Sequence, residues 1–307
     1  MTSLHNIDTE SFIRRQLESW ELAGLNFMAL EKIESREIML GDFPVILQHN
    51  PSRKHSTLSK TDAASIASRQ CFLCKEKRPE MQNSINISDK WEFLINPYPI
   101  FNPHFTIASL HHIPQSEVPS DAFELASVLP GMVVFFNGAG AGASAPDHLH
   151  LQAVGIENLP LIKLVERLHD PSDEQIVSSD SFNKDFPFLF FSGCFPLLNE
   201  KDEIRENSEI IEFLKTGGLD SSGRFTDLKM VNWFFWKDGQ GNYRCVVIPR
   251  RAHRPSCYYA SSGNLLISPG CIDMAGVVIC VRKEDFLNIN KDSLQKIYQD
   301  VAIQKID

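Results

Sequence analysis

The chain has 307 residues, 43% hydrophobic and 22% charged, proportions that fit a globular protein of one large domain or two ordinary ones. Its formal net charge of -9 argues against a general nucleic-acid binder, which would carry a basic face, yet leaves room for a small anionic substrate in a locally positive pocket. No apolar run approaches membrane-spanning length, and Met1-Thr2-Ser3-Leu4-His5-Asn6 lacks the basic-then-apolar character of a signal peptide, so no membrane partner and a cytoplasmic location are expected.

Asp8 or Thr9 can cap a helix reaching about Leu22, with Phe12, Leu17 and Trp20 at near-helical spacing. Ser35–Leu40 and Phe43–Gln48 read as strands around Gly41-Asp42, and Thr61–Ser68 as a short helix. Trp91–Ile95 and Phe105–Ser109 read as strands joined by a proline-rich connector that cannot be helical. Ser120 can cap a helix to Leu129, and Met132–Phe136 is a fully apolar strand. The run Asn137-Gly138-Ala139-Gly140-Ala141-Gly142-Ala143-Ser144 is too glycine-rich for helix or strand and can bring backbone N–H groups close to an anion. A helix near Leu161–His169 is followed by a polar stretch, residues 166–184, expected to link a first half (1–165) to a second (185–307). In the second half, Pro187–Phe191 reads as a strand and Asn199–Thr216 as a charged helix. Lys229–Trp236 and Asn242–Pro249 form a hairpin, Leu265–Ser268 and Val277–Val281 are strands, and helices near Lys283–Leu287 and Lys291–Ile303 close the chain. Antiparallel-looking strands mixed with helices in both halves suggest the α+β class.

The stretch with most chemistry is His148-Leu149-His150-Leu151-Gln152. In an extended strand, His148, His150 and Gln152 share one face and the leucines back it. A phosphate-cradling loop feeding a strand of histidines points to chemistry at phosphorus with histidine as nucleophile. Cys71-Phe72-Leu73-Cys74 is a C-x-x-C without thioredoxin-like context, and metal binding is the better reading of that spacing. His112 and His148 can complete a tetrahedral zinc site, and buried apolar cysteines are the alternative. With His148 on the metal, His150 is the free imidazole, and Gln152 can donate to a non-bridging oxygen or to the ring. Asn137 either takes a left-handed turn or orients a phosphate or ribose, and Ser144 either caps the turn or joins it in binding. Arg53, and the cluster Arg250, Arg251, His253 and Arg254, either grip phosphate or form a solvated rim. Asn96, with Phe93, Tyr98 and Phe101 nearby, can frame a nucleoside, and packing of those aromatics into the core is the default alternative.

These motifs resemble the histidine-triad superfamily in its galactose-1-phosphate uridylyltransferase, diadenosine tetraphosphate phosphorylase and GDP-L-galactose phosphorylase-like branch. Gly142-Ala143-Ser144-Ala145-Pro146 is similar to the phosphorylase loop, and the whole combination is similar to an uncharacterised bacterial family of that branch. The resemblance is specific from about Gln48 to Gly155 and loose beyond. It implies two histidine-triad-like units, each an antiparallel sheet with helices, only the first carrying the triad. It also implies His150 as nucleophile, Gln152 as phosphoryl support, Asn96 and Asn137 on the nucleotide, and a structural zinc on Cys71, Cys74, His112 and His148. The implied reaction moves a nucleoside monophosphate from a nucleoside diphosphate sugar or dinucleoside polyphosphate to phosphate or a sugar phosphate. Arg53, Gly142, Ser144, Arg250 and Arg251 would hold phosphates, and a homodimer is common in the superfamily. A histidine-triad hydrolase and a non-catalytic nucleotide-binding module are the alternative functions.

Overall fold

A computed structural model describes residues 7–59, 61–116, 121–168, 176–179, 186–195 and 229–304 of the chain. The N-terminal helix forms as the sequence suggests, with Asp8 accepting from the Ser11 N–H as its cap, but it ends early. α1 spans Thr9–Ser19 and α2 Glu21–Ala29. Between them Trp20 adopts an extended conformation (φ -125°, ψ 95°), which turns its indole into a small core with Phe27 and Ile95.

The first half then supplies a hairpin, β1 (Glu34–Leu40) and β2 (Phe43–His49), the short helices α3 (Lys54–Thr57) and α4 (Ala63–Ser68), and strands β3 (Ser84–Asn86), β4 (Trp91–Ile95) and β5 (His104–Ser109). Helix α5 (Ala122–Ser127), strand β6 (Met132–Asn137), strand β7 (His150–Gly155) and helix α6 (Pro160–Leu168) follow. β7 begins at His150, so His148 lies in its lead-in and not on the strand face it was expected to share.

The second half contributes β8 (Ile176–Ser178), β9 (Phe191–Phe195), β10 (Val231–Lys237), β11 (Tyr243–Pro249) and β12 (Val277–Cys280), with helices α7 (Cys271–Met274), α8 (Lys283–Asn288) and α9 (Lys291–Val301). Ile176–Ser178 falls inside the expected linker and forms an edge strand. The strand expected at Pro187–Phe191 starts only at Phe191. Phe186 and Phe188 instead turn inward to pack on Phe43, and Phe188 also meets Tyr298. Leu265–Ser268 is not a strand. The Leu265 N–H bonds the Cys257 carbonyl, the Leu266 N–H bonds the Asp285 carboxylate, and the Ile267 N–H turns back on Leu265, so no ladder can form. The helix expected at Asn199–Thr216 lies outside the described residues.

Nine strands make one antiparallel sheet in the order β3-β4-β5-β7-β6-β10-β11-β9-β8. Each half contributes a contiguous block, and the two join where β6 pairs with β10, Asn137 opposite Asn232. A second sheet, β1-β2-β12, takes two strands from the first half and one from the second, with β12 parallel to β2. The fold is thus α+β, with antiparallel blocks and helices in both halves.

The apolar runs Met132–Phe136 of β6 and Trp233–Trp236 of β10 follow from burial on both faces. Val133, Phe135, Phe234 and Trp236 enter a core roofed by α6, α9 and the smaller sheet. Val134, Phe136, Trp233 and Phe235 enter a second core under α1 and α5. A strand covered on both sides has no polar face to alternate with. Phe234 is fully buried where the two halves meet, so Phe234→Ala is expected to cost about 3–5 kcal/mol, read as a lowered urea midpoint at unchanged m-value.

Candidate active site

A cavity of about 450 Å³ opens on the α6/α9 side of the large sheet, where β6 ends and β7 begins. Its lining includes Arg53, Asn96, Asn137, Gly142, Ser144, His150 and Gln152 from the first half, and His253, Arg254, Ser268 and Asp273 from the second.

His150 is buried, and its Nδ1 lies 2.8 Å from the His148 carbonyl oxygen. A carbonyl only accepts, so Nδ1 carries the proton and the lone pair sits on Nε2. Burial pushes the His150 pKa down to about 4, so the ring is neutral at physiological pH. A neutral imidazole with an unligated Nε2 at a cavity wall is a nucleophile in its reactive form.

The amide of Gln152 is oriented by a residue that the sequence pattern did not single out. His104, fully buried on β5, receives the Ile100 N–H at Nδ1 (3.1 Å). That fixes its proton on Nε2, which donates to Gln152 Oε1 at 3.0 Å. Asn96 Nδ2 reaches the same oxygen at 3.3 Å. With Oε1 doubly engaged, only the NH₂ group of Gln152 is left for a ligand. Asn137 follows the same logic. Its Oδ1 accepts from Asn232 Nδ2 (3.0 Å) and from the Cys271 N–H (2.7 Å), leaving its NH₂. Asn96 itself forms a turn, its Oδ1 accepting from the Tyr98 N–H.

The glycine loop divides its labour. The N–H groups of Gly138, Gly140 and Ala141 are used within the fold, whereas those of Gly142, Ala143 and Ser144 have no partner among the described residues. Gly142 has φ +96°, and a Cβ there would lie 2.5 Å from Gly270 Cα, so the loop docks on the second half only because no side chain intervenes. Arg53 lines the cavity and donates from Nη1 to the Tyr98 carbonyl at 2.6 Å. Burial lowers its pKa to about 10, which leaves it charged at neutral pH. Asp273 is the acidic wall residue, but both its oxygens accept backbone N–H groups, from Ile279 and Gly270, and burial raises its pKa to about 6.

Two expected phosphate ligands are not brought to this wall. Arg250 is buried, and its guanidinium is spent on Asn232 Oδ1 and on the carbonyls of Val301, Pro269, Ala252 and His253. It braces the β10–β11 end. Arg251, in the bend after β11, is exposed and outside the lining. Arg254 takes their place on the wall, anchored to Ser268 Oγ and to the Thr57 and Ser59 carbonyls.

Cys71, Cys74, His112 and His148 converge, their ligand atoms all within 4.8 Å of one another. Sγ of Cys71 and His148 Nδ1 are 3.3 Å apart, as are Sγ of Cys74 and His112 Nδ1, and Cys74 to His148 is 3.6 Å. A tetrahedral ion with metal–sulfur bonds of about 2.3 Å and metal–nitrogen bonds of about 2.0 Å sets sulfur–nitrogen edges near ~3.5 Å. His148 Nε2 donates to the Ser109 carbonyl at 2.9 Å, which turns Nδ1 toward the thiols as a metal site requires. The donor set and spacing therefore fit a closed four-ligand metal site.

The site also rests on residues without a sequence motif: His104, Gln115, Asn232 and Asp273. The available signal was a polar residue directly ahead of a strand's aromatic positions, as with His104 ahead of Phe105 and Asn232 ahead of Trp233.

The family described as "Domain of unknown function (DUF4922)" matches residues 12–155. No curated protein matches the sequence. Among solved structures, yeast Ap4A phosphorylase Apa2 aligns with a TM-score of 0.59 at 14% identity over 94% of this chain and 98% of its own. Its complex with Ap4A gives 0.59 at 14% over 96% and 99%. Its AMP complex gives 0.57 at 16% over 93% and 95%. At such identities the likeness concerns the fold, and the chain shares the histidine-triad-type fold of that phosphorylase across nearly its whole length.

Burial, aided by the Arg53 charge, lowers the His104 pKa to about 3. An unfolded histidine takes its proton near ~6.5, so between those values the unfolded chain binds the extra proton and folding stability falls as pH falls. His104→Gln is expected to be less stable than wild type at pH ~7, yet to lose less stability on acidification to pH ~4. Urea unfolding across that range checks this, and parallel curves would refute it.

Proposed function

We propose that the protein is a nucleotidyltransferase or phosphorylase acting by double displacement at His150. The donor is a nucleoside diphosphate sugar or a dinucleoside polyphosphate. His150 Nε2 attacks the α-phosphorus, the N–P bond forms, and the P–O bond to the departing phosphate breaks with its electron pair. The nucleotidyl-histidine then passes the nucleoside monophosphate to inorganic phosphate or a sugar phosphate. One observation carries this reading. The carboxamide oxygens of Gln152 and Asn137 are both consumed inside the protein, so the groups left around a neutral His150 Nε2 are donors. Gln152 NH₂, Asn137 NH₂, the N–H groups of Gly142–Ser144 and the Arg53 guanidinium suit phosphoryl oxygens that gain charge in the transition state. After attack the ring becomes cationic, and its Nδ1–H keeps the His148 carbonyl as acceptor. Asn96, near apolar Trp20, Leu73 and Pro97, fits the nucleoside end of the cavity, and Arg254 fits more distal phosphate. The phosphorylase fold, whose yeast representative is seen with AMP and with Ap4A, supports the same class.

The cysteine–histidine cluster is read as a structural zinc site, because four protein ligands leave no position for substrate. It would hold the loop 71–74 and the lead-in to β7 in place. No helix among the described residues is long and apolar enough to cross a membrane.

Incubation with α-³²P-labelled nucleoside diphosphate sugars and dinucleoside polyphosphates should give acid-labile label on the peptide containing His150. His150→Asn should abolish it, with turnover down on the order of 10³-fold or more. Gln152→Ala should lower kcat about 10²-fold, the cost of one oxyanion donor. Label elsewhere, or full activity in His150→Asn, would sink the reading. For the metal, purified protein should contain one zinc by elemental analysis. Cys74→Ala should lose it and show a lower Tm, and unchanged metal content would refute the assignment.

A further inference from the structure

We propose that Gln115 is a positioning residue for His150. Its side-chain amide takes the place of missing backbone rungs between β6 and β7 and so holds open the cleft in which the nucleophile sits. The inference rests on the reading of His150 as nucleophile.

The β6–β7 ladder pairs Met132 with Gly155 and runs to Phe135 opposite Gln152. Continued in register, it would set Asn137 opposite His150, both of which line the cavity. The strands part before that point, and the Gln115 side chain lies between them. Its Nε2 donates to the Asn137 carbonyl at 2.8 Å and to the His150 carbonyl at 2.9 Å, and its Oε1 accepts from the His150 N–H at 2.8 Å. One primary amide thus satisfies three backbone groups, using both N–H bonds and its oxygen in a site only 1% exposed. Gln115 is itself held, its N–H on the Pro146 carbonyl, while the carbonyl of Ile113, two residues before it, accepts from the Leu149 N–H at 2.7 Å.

The geometry explains how a continuous sheet carries a cavity at its centre. Without the wedge, Asn137 and His150 either zip together, closing the cleft, or leave buried polar groups unpaired. In each case the His150 backbone moves, and with it the ring that is tied to the His148 carbonyl. A shift of the order of 1 Å at a nucleophile suffices to slow chemistry by roughly 10²-fold. Gln115 does not line the cavity, so substrate affinity should be largely spared.

The test compares Gln115→Met, which keeps the volume and removes the three hydrogen bonds, with Leu294→Ala, a core change on α9 outside the cavity lining and serving as a control for lost stability. Single-turnover formation of the labelled His150 adduct should slow roughly 10- to 100-fold in Gln115→Met, with nucleotide Kd within about threefold of wild type. Leu294→Ala should leave the rate near wild type at a comparable fall in Tm. Gln115→Glu, which turns an acceptor toward two carbonyls, should be slowed at least as much. Equal rates in Gln115→Met and Leu294→Ala would overturn the proposal. A wild type that forms no adduct with any donor would instead refute the nucleophile reading. In that event the spectrum of ¹⁵N-histidine-labelled protein, with His150 assigned from its loss in His150→Asn, decides the positioning claim. A single sharp Nδ1–H tautomer in wild type should broaden or split in Gln115→Met, and an unchanged signal would overturn the inference.

Discussion

The contact on which the site depends is the bond from His150 Nδ1 to the backbone carbonyl of His148. A carbonyl cannot donate, so this one bond decides the tautomer, leaves the Nε2 lone pair free and fixes the direction in which it points. Burial reinforces the choice by disfavouring the protonated ring. The same residue, His148, turns its own ring toward Cys71 and Cys74. A single position therefore ties the orientation of the His150 ring, through the backbone, to the cysteine–histidine cluster.

Around that imidazole, polarity is set by saturation more than by net charge. A chain of charge -9 builds a donor-rich pocket by spending its acceptors elsewhere. The oxygens of Gln152 and Asn137 are capped by His104, Asn96, Asn232 and the Cys271 N–H. The carboxylate of Asp273 is tied to two backbone N–H groups. Local dipoles and the guanidinium groups of Arg53 and Arg254 then govern what the cavity can hold, while the overall charge bears on solubility and nonspecific partners.

The two halves are bound together too closely for either to form this cavity alone. β6 and β10 share a ladder, β12 joins the β1–β2 hairpin, and the glycine loop meets Gly270 at a distance that excludes any side chain. Arg250, once it is seen to brace Asn232 and the Val301 carbonyl, belongs to that junction: Asn232 in turn holds Asn137 Oδ1. A residue expected to bind substrate instead sets the orientation of one that lines the pocket.

By itself, the sequence determined whatever depends on near neighbours. The β1–β2 hairpin, the apolar β6, the short C-terminal helices and the pairing of Cys71 with Cys74 follow from alternation, capping and spacing over a few residues, and so does the prominence of His150 and Gln152. The resemblance carried by those motifs also anticipated the fold. Only the tertiary structure decided which members of a local cluster reach the cavity. Arg250, Arg251 and Arg254 look alike in sequence, yet one is spent on carbonyls, one faces solvent and one lines the wall. It alone revealed His104 and Gln115, whose parts consist wholly of hydrogen bonds to residues 4 to 48 positions away. The physical reason is that a hydrogen bond's direction depends on where both partners lie in space. Periodicity can place a side chain on a face, but only packing says what waits opposite it.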